Sequence, residues 1–217
     1  MSHPAGLPLM ARTSRTVTLL LLVLTNLSVA TSSTGQPSLR ASANAPVTIP
    51  LEPYGSGRLK KVKVTVAGDT LDFLFDTGGG LTVISPAVAS RLGCTPRGRV
   101  HGFRMTGQPL EAPVCTDVRL DLRGFRTTAE AAVMDLGALM GPGAPPVHGM
   151  ISLHTFAGEA LTLDLPRQQL TLETAGSLSR RIRGLTPLPT RLATGLAGAE
   201  LVAYVGLRSG DETLWFQ

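Results

Sequence analysis

Leu71-Asp72-Phe73-Leu74-Phe75-Asp76-Thr77-Gly78-Gly79-Gly80 is the stretch on which the fold turns. Apolar residues fill nearly every place from Leu71 to Phe75, the pattern of a strand buried on both faces. An acid ends the run, followed by a hydroxyl and three glycines. A carboxyl at the end of a buried strand is held rigidly, and a glycine turn lets backbone N–H groups approach it closely. In this arrangement Asp76 is the reactive acid, Thr77 offers a hydroxyl for an internal hydrogen bond, and Gly78 supplies the turn.

Working outward, Val62, Val64 and Val66 alternate with Lys61, Lys63 and Thr65, a half-buried strand with one wet face. Gly68-Asp69 turns it into the apolar run. Leu81 to Ile84 forms the next strand. Ser85 as cap, Pro86 at the first helical position and Gly93 after Leu92 bracket a short helix. Val100 to Leu122 reads as a long hairpin with its tip at Met105-Thr106-Gly107-Gln108, and Ala129 to Leu136 as another strand. A breaker-rich loop, Gly141 to Pro146, precedes a renewed apolar element at His148-Gly149-Met150-Ile151. The alternating arms Ala160–Asp164 and Gln169–Leu172 form a closing hairpin. The fold class is therefore mostly β, with one or two short helices. Regular structure is expected to begin near Leu59.

Composition narrows the function. Aromatic residues are 4% of the chain, too few for a nucleic-acid stacking surface. The formal charge of +5 is spread thinly, with no basic cluster larger than Arg180-Arg181-Ile182-Arg183, so no nucleic-acid partner is expected. His101, His148 and His154 show no metal-ligand spacing, and neither a nucleophile elbow nor a phosphate loop is present; no metal or cofactor is expected. Gly141-Pro142-Gly143 is a loop rather than a dinucleotide cradle. Asp69 and Asp211 follow glycines in turns, Asp72 is expected at a wet strand edge, and Asp164 lies in a hairpin. These acids are structural, which leaves Asp76 as the chemical one.

The run from Phe73 through Asp76-Thr77-Gly78 resembles the active-site loop of retropepsin-like aspartic proteases. The resemblance spans about residues 58–175. It includes the helix after the following strand and a hairpin suited to be a flap, Val100 to Glu111. It also takes in the later apolar-to-glycine element Val147-His148-Gly149-Met150. Two residues depart from the family pattern: His148 stands where Ile or Leu is usual before the glycine, and Gly79 where Ala or Ser is. Leu92-Gly93-Cys94, Cys115-Thr116-Asp117-Val118 and Thr162-Leu163-Asp164-Leu165-Pro166-Arg167 resemble exported bacterial members in particular. The resemblance implies a retropepsin-like β-barrel lobe over 56–175. It further implies an endopeptidase whose Asp76 activates a water, with Phe103, Met105, Thr106 and Gly107 of the flap against a peptide or protein substrate. Such chemistry needs a second carboxyl, because a closely spaced pair holds one proton between its members and so supplies both base and acid.

Residues 1–30 read as an export signal: Arg12 and Arg15 precede the apolar run Val17–Leu24, and Ser28 and Ala30 frame a cut before Thr31. The run is well short of the roughly 20 residues of a spanning helix, so no stable membrane span is expected and the product is periplasmic or secreted. Residues 31–55 and 176–198 read as linkers. In an oxidising compartment Cys94 and Cys115 pair naturally, a bond that stabilises by roughly 3 kcal/mol in the chain-entropy model; the alternative is two buried free thiols. Near the end, Leu201–Leu207, Gly210-Asp211 and Thr213–Phe216 resemble the strand, turn and strand that lead into Asp76. Residues 199–217 are accordingly expected to begin a second lobe, the alternative being an unrelated terminal hairpin. The second carboxyl then comes from that lobe or from a homodimer partner. The competing reading is a non-catalytic exported module that binds peptides on the same fold.

Overall fold

The computed structural model describes residues 45–103, 107–195 and 200–217. The expected export signal, residues 1–30, lies outside them. Fourteen strands are present among the described residues, in three sheets.

The largest sheet is built around the quoted stretch. β3 (Leu59–Val66) and β4 (Asp69–Asp76) pair antiparallel with Val62 opposite Phe73 and Val64 opposite Leu71. The valines of β3 are buried while Lys61 and Lys63 face outward, where both reach the Asp72 carboxylate. Asp72 is therefore a paired ion on the outer face rather than a solvated strand edge. Phe73, Leu74 and Phe75 are buried in succession because β4 is covered on both faces.

β5 (Val83–Ile84) follows the glycines, but it does not pair with β4. The strand between them is β9 (Gly149–Ser152), parallel to β4 with Asp76 opposite Ser152, and antiparallel to β5. That insertion explains Gly149. A Cβ there would run into the Phe73 ring and the Val83 carbonyl oxygen. His148, despite its departure from the family pattern, is knitted into the same place. Its N–H donates to the Asp72 carbonyl at 2.8 Å, and its carbonyl accepts from the Ser85 N–H at 2.7 Å.

The sheet continues through β8 (Phe125–Val133), β7 (Pro109–Leu122) and β6 (Arg99–Phe103). β7 is long enough to serve two partners, and its register shifts between Cys115 and Val118, where Asp117 has φ 60°. Thr65 of β3 meets Asp121 of β7, which curls the sheet back on itself. The enclosed core includes Ile49, Val62, Val64, Phe73, Leu120, Leu122, Ile151 and Phe156.

α1 (Pro86–Arg91) has the expected cap, with the Val88 N–H donating to Ser85 Oγ. The Cys94–Cys115 disulfide ties the chain after α1 to β7, just below the base of the β6–β7 hairpin. Residues 104–106 at the hairpin tip, including Met105 and Thr106, lie outside the described residues. The arms β10 (Ala160–Asp164) and β11 (Gln169–Glu173) form the closing hairpin.

Four expectations are corrected. Regular structure begins at Val47: β1 (Val47–Pro50) pairs with β11, and β2 (Glu52–Tyr54) pairs with β3, inside the stretch read as a linker. Both are edge strands, the position in which prolines such as Pro50 and Pro53 are tolerated. The strand expected from Leu81 begins only at Val83. The strand expected to reach Leu136 stops at Val133, and Leu136–Met140 is a helix, α2, capped by Asp135. Residues 176–198 carry regular structure as well. They include most of α3 (Ala175–Arg181), pinned by an Arg181–Glu173 ion pair, and β12 (Thr190–Gly195). β12 joins β13 (Glu200–Ser209) and β14 (Glu212–Phe216) in a separate three-stranded sheet.

Candidate active site

Asp76 is the last residue of β4, held between β3 and β9 and only partly buried. The Gly78 N–H donates to its Oδ1 at 2.9 Å. The three glycines divide the work differently from the expectation placed on Gly78. Gly80, buried, takes φ 65° and makes the left-handed bend. Gly79 makes room: a Cβ on it would lie 2.7 Å from Asp76 Oδ2 and 2.9 Å from Met150 Cε. Gly78 contributes its N–H. Thr77 is exposed, and its hydroxyl has no hydrogen bond among the described residues. The internal bond expected of it is absent because its side chain lies at the surface of the loop, away from the lobe's own interior.

A cavity of about 660 Å³ opens beside Asp76. Its wall is apolar, formed by β4 and β9 (Leu74, Met150), by β5 and β7 (Val83, Ala112), and by Leu136 and Leu139 of α2. The β6–β7 hairpin covers it, and Phe103 at the end of β6 lines it while remaining 78% exposed. Gly107, exposed with φ 79°, follows the tip. Asp76 and Glu200 are the acids in the lining. Glu200 lies against Gly80 and Gly195, where neither glycine leaves room for a Cβ.

The terminal sheet is braced against the Asp76 loop at two backbone carbonyls. The Leu201 N–H donates to Gly80 O at 3.3 Å, and Gln217 Nε2 donates to Gly78 O at 3.0 Å.

The structure thus brings Asp76 and Phe103 to one cleft, leaves Thr77 and Gly78 exposed in the loop beside it, and places Cys94 and Cys115 away from it as a brace. α2 was missed because its first residue, Leu136, was read as the end of an apolar strand and the residues after it were given no element. The signal for it is the Asp135 cap with Gly141 closing the run. Glu200 has no local signature, since its place depends on contacts with a loop far away in sequence.

Residues 62–155 match the family model described as aspartyl protease. Over this segment the chain is similar to aspartyl proteases. Two solved structures similar to the chain are of the same kind. One is a retropepsin-like aspartic protease from Rickettsia conorii: 14% identity, 58% of this chain and 88% of that one, TM-score 0.38. The other is the retroviral protease-like domain of Ddi1 from Leishmania major: 16% identity, 52% and 87% coverage, TM-score 0.38. No curated protein matches the sequence. The aspartyl protease match begins in β3 and ends in the turn after β9, so it contains the whole platform of Asp76 and both strands of the flap hairpin.

Proposed function

We propose that the protein is an aspartic-type endopeptidase in which Asp76 activates a water for attack on a peptide carbonyl. The observation that carries this reading is the placement of one carboxyl. Asp76 ends a buried strand, accepts a backbone N–H from Gly78 at 2.9 Å, and opens onto an apolar cavity under a hairpin. The cavity takes an extended peptide by its side chains, and the flap covers it.

Hydrolysis requires a second carboxyl, from a second lobe or a partner copy. With one proton shared between the two, the ionised member removes a proton from water as its oxygen bonds to the carbonyl carbon. The protonated member donates to the carbonyl oxygen. Collapse of the tetrahedral intermediate then breaks the C–N bond, and the leaving nitrogen takes a proton from the pair. The Cys94–Cys115 disulfide and the apolar leader both support an exported protein.

The test is cleavage of an unfolded protein substrate between about pH 3 and 7. Activity is expected to peak in acid, where the pair retains one proton. Asp76→Asn abolishes it without changing the melting temperature, since the substitution is nearly isosteric. Full activity in the variant overturns the assignment. Peptide binding with no cleavage, at any concentration and in the complete protein, returns the non-catalytic module instead.

A further inference from the structure

Glu200 is a second acid in the cleft, held there by packing rather than by a counterion. It opens β13, paired in register with Gly195 of β12, and its side chain lines the cavity together with Asp76. Gly80 of the Asp76 loop and Gly195 lie against the carboxylate. A Cβ on Gly80 would overlap Glu200 Oε1, Cγ and Cδ, and one on Gly195 would overlap Oε2. Two bare backbones thus set the direction of the side chain. The Leu201 N–H, which donates to Gly80 O at 3.3 Å, fixes the strand that carries it.

The charge around it is unbalanced. Among the described residues, acids elsewhere in the lobe hold a Lys or Arg, as Asp72 holds Lys61 and Lys63 and Glu173 holds Arg181. Glu200 holds none, and it accepts no hydrogen bond among the described residues. The chain as a whole is formally +5, yet the described lining of the cavity has two acids and, as its basic side chain, His101 of β6. A half-buried carboxylate gives up part of its hydration, a loss that a cation beside it offsets. Here that cation has to come from outside the described chain. The wall next to Glu200 is apolar, with Leu74, Val83, Leu136 and Met150. An apolar wall with a lone acid at its side suits a side chain that has an aliphatic stem and a cationic head.

We infer that Glu200 determines specificity: it takes the ammonium or guanidinium group of a Lys or Arg in the bound peptide, so the substrates are basic peptides. The inference rests on the reading of the cleft as a peptide-cleaving site and names which peptides enter it. The place of the basic residue follows from the two glycines. Gly79 touches Asp76 and the next residue, Gly80, touches Glu200, so the two carboxylates are within about 12 Å of each other. An extended peptide rises about 3.3 Å per residue. The basic residue therefore lies within about three positions of the bond that Asp76 attacks.

The test separates binding from cleavage. The probes are octapeptides with a central Leu-Leu bond and one lysine placed one to three residues outside that pair, on either side, each matched with a norleucine counterpart. Affinities are measured by calorimetry near neutral pH on the full chain carrying Asp76→Asn, which leaves Glu200 as the acid of the described lining. At one or more of the positions lysine is expected to bind about tenfold tighter than norleucine, as for a hydrogen bond between charged groups. Adding Glu200→Gln, nearly isosteric, brings that ratio to about one. Adding Glu200→Lys instead makes a glutamate peptide bind better than the lysine one, a reversal that a packing role would not produce. Equal affinity for lysine and norleucine, no binding of either, or a preference that survives Glu200→Gln overturns the inference. Cleavage by the parent chain with no preference for lysine also overturns it and leaves the peptidase reading standing. A lysine preference removed by Glu200→Gln, in a parent chain that cuts none of the peptides, upholds the cation site and sinks the peptidase reading.

Discussion

The strand pairs β3–β4 and β13–β14 share register and apolar pattern, yet one is the centre of a core and the other is a surface. In β3–β4 the apolar face is closed by β7, β9 and Phe156, and the outer face holds Lys61 and Lys63 on Asp72. In β13–β14 the corresponding outer places are Tyr204, Gly206 and Trp215, and the apolar face is open. Equal hairpins thus have unequal stability. Register and propensity make the hairpin, but burial of its face determines what each side chain contributes.

Truncation at matched positions gives the widest contrast. Phe73→Ala is expected to cost about 3–5 kcal/mol, as for a fully buried aromatic, while Phe216→Ala in the 217-residue chain stays within about 0.5 kcal/mol. Urea midpoints of the two variants measure it; equal losses would mean that the terminal face is covered in solution. Replacing Cys94 and Cys115 together by Ala is expected to cost roughly 3 kcal/mol. That loss falls on the lobe alone: hydrogen exchange should quicken in β6 and β7 and stay unchanged in β13 and β14. Gly79→Ala pushes a methyl toward Asp76 Oδ2 and Met150 Cε. Met150 can swing away and the carboxylate cannot do so without losing its aim, so peptide cleavage is expected to fall more than the melting temperature does.

The smallest effect concerns acid. Burial raises the Asp72 pKa, but hydrogen bonds and charge from Lys61 and Lys63 outweigh it and hold the carboxyl below its ordinary value. A depressed folded-state pKa gives stability that is complete above the unfolded value of about 3.9 and fades as pH falls through the lower folded value. Asp72→Asn is expected to cost about 1 kcal/mol at neutral pH, with variant and parent converging in strong acid. Thermal melts from pH 2 to 7 measure this, and a constant gap across that range would remove the ion pairs from the account. The terminal hairpin has no equivalent trio, so its exchange rates owe nothing to this titration.

Much of the lobe was legible because its signals are local. The apolar run into Asp76, the Ser85-Pro86 cap and the alternation of β10 and β11 each lie within a few residues. What escaped depends on partners remote in sequence. β1 is four residues whose place is set by β11, and β2 is three residues set by β3. The roles of Gly79 and Gly80 could not be told from that of Gly78 without the carboxylate, Met150 and Glu200 in place around them. The likeness of the terminal strands was read by matching Gly68-Asp69 with Gly210-Asp211, whereas the strand pairing aligns Gly68 with Asp211, one residue out of step.

The insertion of β9 between β4 and β5 has a consequence in time. Leu74 pairs with Met150, so the strand ending in Asp76 cannot complete its sheet until the chain beyond Ser152 exists. Such distant pairing makes folding slow. During synthesis, β3 and β4 emerge early and wait as a hairpin with one open edge, so the carboxylate has no rigid seat. Its seat is assembled only when β9 slides into the gap and Gly149 passes Phe73. The geometry around Asp76 is thus among the last parts of the large sheet to be completed.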